Sequence, residues 1–123
     1  GKEDSKIMGI AESDIEIWKK RLVNRGKHKK VRFVSHWVWW DIIESESDKD
    51  IISEQGLKPT ALYSHNLIWD ESNDFLPGWS VKTSLLEGFE EKVLFITRNT
   101  TYVLVGPGHR ADITFQIFKS IHF

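Results

Sequence analysis

Two seven-residue stretches carry the same potential ligands in the same places. Ser35-His36-Trp37-Val38-Trp39-Trp40-Asp41 and Ser64-His65-Asn66-Leu67-Ile68-Trp69-Asp70 share Ser, His, Trp and Asp at an offset of 29 residues. If the two segments pack about a pseudo-twofold axis, His36 and His65 converge, and two imidazoles with nearby carboxylates are a donor set suited to zinc or iron. The geometry of an extended chain opposes this, because an Asp five residues after its His points to the other face of the strand. The remaining ligands would then have to come from His109, His122 or a distant acid. A strand histidine between tryptophans is more often a hydrogen-bonded core residue. The expectation is no metal and no cofactor, with a small metal-dependent enzyme around His36 and His65 as a minor alternative.

Other reactive patterns are weaker. Gly106-Pro107-Gly108-His109-Arg110-Ala111 formally fits G-x-G-x-x-A, but only 12 residues follow Ala111. A dinucleotide fold needs a helix, a second strand and a ribose-binding acid beyond that point. The Gly-Pro-Gly therefore reads as a sharp turn, leaving Arg110 to meet an anion or a carboxylate. There is no nucleophile elbow, no H-E-x-x-H and no close carboxylate pair beyond Glu90-Glu91. The absence of cysteine removes disulfides, zinc ribbons, iron–sulfur clusters and thiol nucleophiles. The chain reads as a non-enzyme.

Charge is balanced overall, at −1, but unevenly spread: Lys19 to Arg32 holds eight Lys and Arg and no acid, whereas Asp41 to Glu54 holds six acids and one Lys. Basic side chains leading into Trp37, Trp39 and Trp40 are what a single-stranded nucleic-acid module needs, since phosphates want cations and bases want flat apolar faces. Lys27, Lys29, Lys30 and Arg32 are its candidate contacts. The plainer reading is that cations near a helix C-terminus complement its dipole. The acid-rich segment nearby can also neutralise them.

The elements that must position these residues follow from periodicity. Residues 1–12 read as a flexible lead-in and 13–123 as a single domain, a common size for one core. Ser13-Asp14-Ile15-Glu16 has the form of a capping box, so a helix is predicted over 14–25, ending at Gly26. Val31 to Ile43 is β-branched or aromatic on both alternating faces. Val31, Phe33, Ser35, Trp37 and Trp39 share one face, with Val34, His36, Val38 and Trp40 on the other, as in an interior strand. A short acidic helix over 47–55, closed by Gly56, precedes a strand at 61–70, and turns follow at 71–74 and at Pro77-Gly78. A meander over 79–86, 92–98 and 101–105 comes next. With Asn99-Thr100 as its tight loop and Asn99 left-handed, Ile96 faces Val103, Leu94 faces Val105 and Phe95 faces Leu104. Trp39, Phe95, Ile96 and Leu104 should be buried. The tail fits a strand through Ile113, Phe115 and Ile117, or a helix from Thr114 through Phe115, Phe118 and Ile121, which is preferred. The predicted fold class is α+β: a small, strongly bent antiparallel sheet or partial barrel of about five strands, with an N-terminal helix and a short C-terminal one. No apolar run is long enough to span a bilayer as a helix, and the charged opening Gly1 to Ser5 lacks the pattern of a signal peptide. A cytoplasmic location is expected.

Val81-Lys82-Thr83-Ser84, followed by Thr97-Arg98-Asn99-Thr100-Thr101-Tyr102-Val103-Leu104-Val105-Gly106-Pro107-Gly108, resembles the signature of a family of short uncharacterised bacterial and prophage proteins. The likeness covers 78–110, and Leu85 stands where many relatives carry Pro. It implies a bacterial, cytoplasmic accessory role and brings no catalytic residues. Read from the residues, the partner is another protein and the chain an inhibitor or immunity-type factor, because surplus Trp and Arg are the types that dominate interface hot spots. Thr83, Ser84, Arg98, Asn99 and Arg110 are the candidate contacts. The oligomeric state is open.

Overall fold

A computed structural model of the chain describes residues 6–23 and 28–121. Gly26, Lys27 and His122 lie outside them. Eight strands and three α-helices follow in the order β1 (Lys6–Met8), α1 (Ile15–Val23), β2 (Lys30–Ile43), α2 (Glu46–Glu54), β3 (Thr60–Asp70), β4 (Val81–Lys82), β5 (Gly88–Glu90), β6 (Leu94–Ile96), β7 (Thr100–Leu104), β8 (Pro107–Thr114) and α3 (Phe115–Ser120). The fold is α+β, a strongly curled open sheet forming half of a barrel, with a helix at each end of the chain. Strands run in the order β1-β8-β2-β7-β6-β5, and β3 joins β2 to β4 off this path.

The long aromatic strand β2 is the interior strand its two apolar faces predict. Along one edge it pairs with antiparallel β3 from Arg32↔Asp70 to Asp41↔Thr60. Along the other it pairs first with β7, from Lys30↔Thr100 to Val34↔Leu104, and then with β8, from Trp37↔Gly108 to Ile43↔Thr114. Both of these pairings are parallel, so the sheet is mixed even though its other ladders are antiparallel. The change of partner occurs at Ser35-His36, opposite the corner that Gly106 makes between β7 and β8 with φ 71°.

That corner overturns the simple alternation. His36 has φ 50°, which inserts a kink and reverses the faces beyond it. Trp37 and Trp39 therefore join Val34, Leu62, Leu67, Val81, Leu86, Phe95, Tyr102 and Leu104 in one core. Val31 and Phe33 stay with Ile10, Leu22, Leu94, Val103 and Val105 in a second, which Trp18 of α1 helps to cover. Phe118 of α3 packs on Ile42 and Ala61 in a third. Polar groups freed at the kink are met locally: Ser64 Oγ donates to the Ser35 carbonyl at 2.7 Å, and Asn66 Nδ2 donates to Ser35 Oγ at 2.9 Å.

Several local expectations are corrected. Ile10 is buried and residues 6–8 form β1, so the described part of the lead-in belongs to the fold. The capping box does not form, because a 3₁₀ turn already begins at Glu12 with Ala11 as its cap, which places Ser13 inside the turn. Side-chain caps appear instead at Ser45 before α2 and Thr114 before α3. The β6–β7 hairpin turns one residue earlier than expected, at Arg98-Asn99, which shifts its register by two: Leu94 faces Val103 and Ile96 faces Thr101, and Thr97 N–H donates to Thr100 O at 2.9 Å. Asn99 is not left-handed there. Trp39, Phe95 and Leu104 are buried, whereas Ile96 near the hairpin end is only partly so. Of the segment 79–86, only Val81–Lys82 is strand.

Candidate functional site

The repeated Ser-His…Trp-Asp segments lie in the two long strands β2 and β3, and the antiparallel pairs Ser35↔Asn66 and Trp37↔Ser64 bracket His36 and His65. The histidines do converge on one exposed hollow of about 330 Å³ with Val38, Pro107 and His109. The carboxylates do not follow them. Each Asp sits at the far end of its own strand and takes an arginine: Asp41 receives Arg110 through Nε at 2.7 Å and Nη2 at 2.9 Å, and Asp70 receives Arg32. Among the described residues no three His, Asp or Glu side chains stand close enough to hold a metal ion.

Asp70 and Arg32 are both buried, with side chains 1% and 6% exposed. The Asp70 carboxylate accepts from the Ser72 N–H (3.1 Å) and hydroxyl (2.8 Å) and from the N–H groups of Asp74 and Phe75 (both 3.0 Å). Burial raises its pKa, but these donors and Arg32 outweigh that and leave it below the usual carboxylate range. Arg32 Nε lies 3.1 Å from Asp70 Oδ1, angled off hydrogen-bond geometry, so the contact is coulombic. Its Nη1 donates to Tyr102 Oη at 3.1 Å, and its plane lies over Phe75 at 4.2 Å. Burial lifts the Tyr102 phenol above its ordinary pKa, and Arg32 partly opposes this. This pair anchors the 71–75 turn to the sheet.

The basic candidates are similarly occupied. Lys29 meets Glu87 and donates to Thr97 O at 2.7 Å, and Lys30 lies 3.5 Å from Asp74. With Arg32 buried against Asp70, three of the four cations proposed for phosphates are taken by the protein's own acceptors, and Lys27 lies outside the described residues. The acids responsible are Asp70, Asp74 and Glu87, not those of 41–54.

The protein-contact candidates do not assemble into one surface. Thr83 is buried, and its hydroxyl oxygen accepts from Leu62 N–H at 2.9 Å while donating to Ser84 O at 2.8 Å, extending the β3–β4 pairing. Ser84 is exposed. Arg98 and Asn99 form the β6–β7 tip, where Arg98 donates to Gln55 Oε1 at 3.1 Å. Lys82, between Val81 and Thr83, donates to the carbonyls of Phe118 (2.9 Å) and Ile121 (2.8 Å) and so ties down the end of α3. Gly108 lies under Trp37, where a Cβ would come within 2.3 Å of the indole. The signature residues thus build the sheet and its corner. Of these candidates, Arg110 lines a concave surface.

That surface is an apolar hollow of about 500 Å³, where β1 and β5, the two ends of the strand path, both arrive. Ile7 and Met8 come from β1, Phe89 from β5, and Trp37, Trp39, Leu86 and Leu104 form the rest of its apolar wall. Trp39 meets Phe89 and Phe95 edge-on at 4.8 and 5.2 Å, and Arg110 lies over its ring at 5.3 Å. Met8 is 63% and Phe89 39% exposed, so apolar surface is open to solvent there. Lys58, Lys92 and Arg110 complete the lining, and Asp41 holds the Arg110 guanidinium above its ordinary pKa. Of these residues the sequence singles out Trp37, Trp39, Leu104 and Arg110, and not the others. Ile7 and Met8 lay in the supposed lead-in, and Phe89 between Gly88 and Glu90 reads as a turn.

Among the described residues no helix is long and apolar enough to cross a membrane. No curated protein and no solved structure matches the chain. One family does, over residues 8–120, nearly the whole described fold: the chain belongs to the family described as a domain of unknown function, DUF6957.

Proposed function

We propose that this chain is a non-enzymatic binding domain, an accessory protein of bacterial or mobile-element origin, that receives an apolar side chain of a partner protein in the hollow between β1 and β5. The observation that carries the reading is the hollow itself: about 500 Å³, walled by seven apolar side chains, with Met8 and Phe89 left in water. A well-packed pocket for one large apolar anchor is what concentrates binding energy at protein interfaces. Among the described residues no Ser, Thr, His, Asp, Glu or Tyr lines it, and Lys58 and Lys92 are exposed, without the desolvation that turns a lysine into a nucleophile.

Selection from a random peptide display library against the full chain tests this. Enriched peptides should share a large apolar residue and lose at least about tenfold in affinity for a Met8→Asp/Phe89→Asp variant, since a buried charge opposes an apolar anchor. Both positions are exposed, so the variant should melt within a few degrees of the parent. No enrichment, or enriched peptides that bind both proteins equally, would refute the reading.

A further inference from the structure

We infer that the hollow selects an acidic partner segment, one in which the apolar anchor is flanked by Asp or Glu. The inference rests on the binding reading above and adds the chemistry of the partner. Its basis is charge. Among the described residues, the ten that line it include three cations and no acid, on a chain whose net charge is −1. Elsewhere on the domain Lys19, Arg21, Lys29, Lys30 and Arg32 pair with Glu16, Glu91, Glu87, Asp74 and Asp70, Lys82 and Arg98 meet carbonyl and amide oxygens, and Lys20, Lys49 and Lys119 meet no acid among the described residues without lining the hollow. Lys58 and Lys92 meet no acid among the described residues. They come from different elements, Lys58 just before β3 and Lys92 from the β5–β6 turn, yet both line this hollow.

The turn carrying Lys92 is an unusual one. Glu91 and Lys92 are both left-handed, at φ 52° and 61°, a conformation that residues with a Cβ adopt at a cost and that hairpins normally give to Asn or Gly. Arg21 of α1 holds Glu91 by an ion pair, while Lys92 lines the hollow. Strain of this kind in a short turn persists where surrounding contacts over-determine it, and such positions cluster at ligand-binding sites. Arg110 adds less, since Asp41 already occupies two of its donors. The two free ammonium groups then set the preference: apolar side chain against Trp39 and Phe89, carboxylates at Lys58 and Lys92.

Three dye-labelled heptapeptides, acetylated and amidated to remove terminal charge, with a central Phe flanked by Glu, Gln or Lys, separate these terms by fluorescence anisotropy. Two exposed charge pairs at a rim should make the Glu peptide about tenfold tighter than the Gln peptide at low salt, with the Lys peptide weakest and the differences shrinking as salt rises. A Lys58→Glu/Lys92→Glu variant should invert the order. Equal binding of the Glu and Lys peptides, or an unchanged order in the reversed variant, would overturn the inference. Equal binding of the Glu and Gln peptides, lost in Phe89→Asp, overturns it too but leaves the anchor reading intact. Dodecanoate binding that depends on Phe89 while no peptide binds would overturn both, in favour of a small amphipathic acid.

Discussion

Removing Asp70 should cost far more than removing the arginine it pairs with. In Asp70→Ala the buried Arg32 guanidinium keeps the Tyr102 hydroxyl at 3.1 Å and, at 3.6 Å, the exposed Asp74. Stranding a buried charge in this way costs about 3 to 5 kcal/mol. The turn donors of Ser72 and Asp74 are near solvent and add little, since water can replace the lost acceptor. Arg32→Met is different. Asp70 then still accepts from three backbone N–H groups and the Ser72 hydroxyl, and an unbranched Met keeps the packing over Phe75. The loss is one hydrogen bond to Tyr102 and the coulombic contact with a carboxylate that the turn donors still hold, about 1 to 2 kcal/mol. Urea unfolding followed by tryptophan fluorescence reads both, in a domain whose total stability should be about 5 to 15 kcal/mol. An Arg32→Met cost equal to or above that of Asp70→Ala would show that Arg32, and not the turn, stabilises the carboxylate. A cost for Asp70→Ala below about 1.5 kcal/mol would show that the network contributes little.

The same carboxylate predicts an acid limb. Its folded pKa is lowered, so its contribution is full above the unfolded value near 3.9 and is lost as pH falls through the folded one; Asp70→Asn should flatten the stability profile in that window. Phe95→Ala, at a fully buried position touching Trp39, should lower unfolding free energy by about 3 to 5 kcal/mol, and a loss under about 1 kcal/mol would contradict the packing. Gly108→Ala should destabilise by about 1 to 3 kcal/mol because its Cβ meets the Trp37 ring; an unchanged melting temperature would mean the indole can move aside freely.

What the sequence made legible and what it concealed divide along a physical line. Short-range rules read well: β2 as an interior strand, the acidic helix ending at Gly56, the Gly106 corner and the helix starting after Thr114 each depend on neighbours in the chain. The alternation that failed in β2 depends on a single dihedral. His36 at φ 50° turns Trp37 and Trp39 from the Phe33 face to the Val34 face, and neither Ser nor His signals a left-handed kink by type. The parallel pairing of β2 with β7 and β8 was equally hidden, because apolar alternation does not encode strand direction.

The repeat joins both kinds of result. Its Ser residues tie the corner and its His residues line one hollow, as a pseudo-twofold requires. Its Asp residues, five positions on, are carried to opposite ends, where one locks Arg32 in the core and the other orients Arg110 over Trp39. The symmetry that suggested a metal centre thus serves the fold at one end and the rim of the hollow at the other. The hollow lies where the two ends of the strand path meet: β1 and the β5–β6 turn are far apart in sequence, and the curl of the sheet brings Met8, Phe89 and Lys92 around one apolar floor. A reading by local pattern finds the residues that bend the sheet, and the hollow exists only once the bend is made.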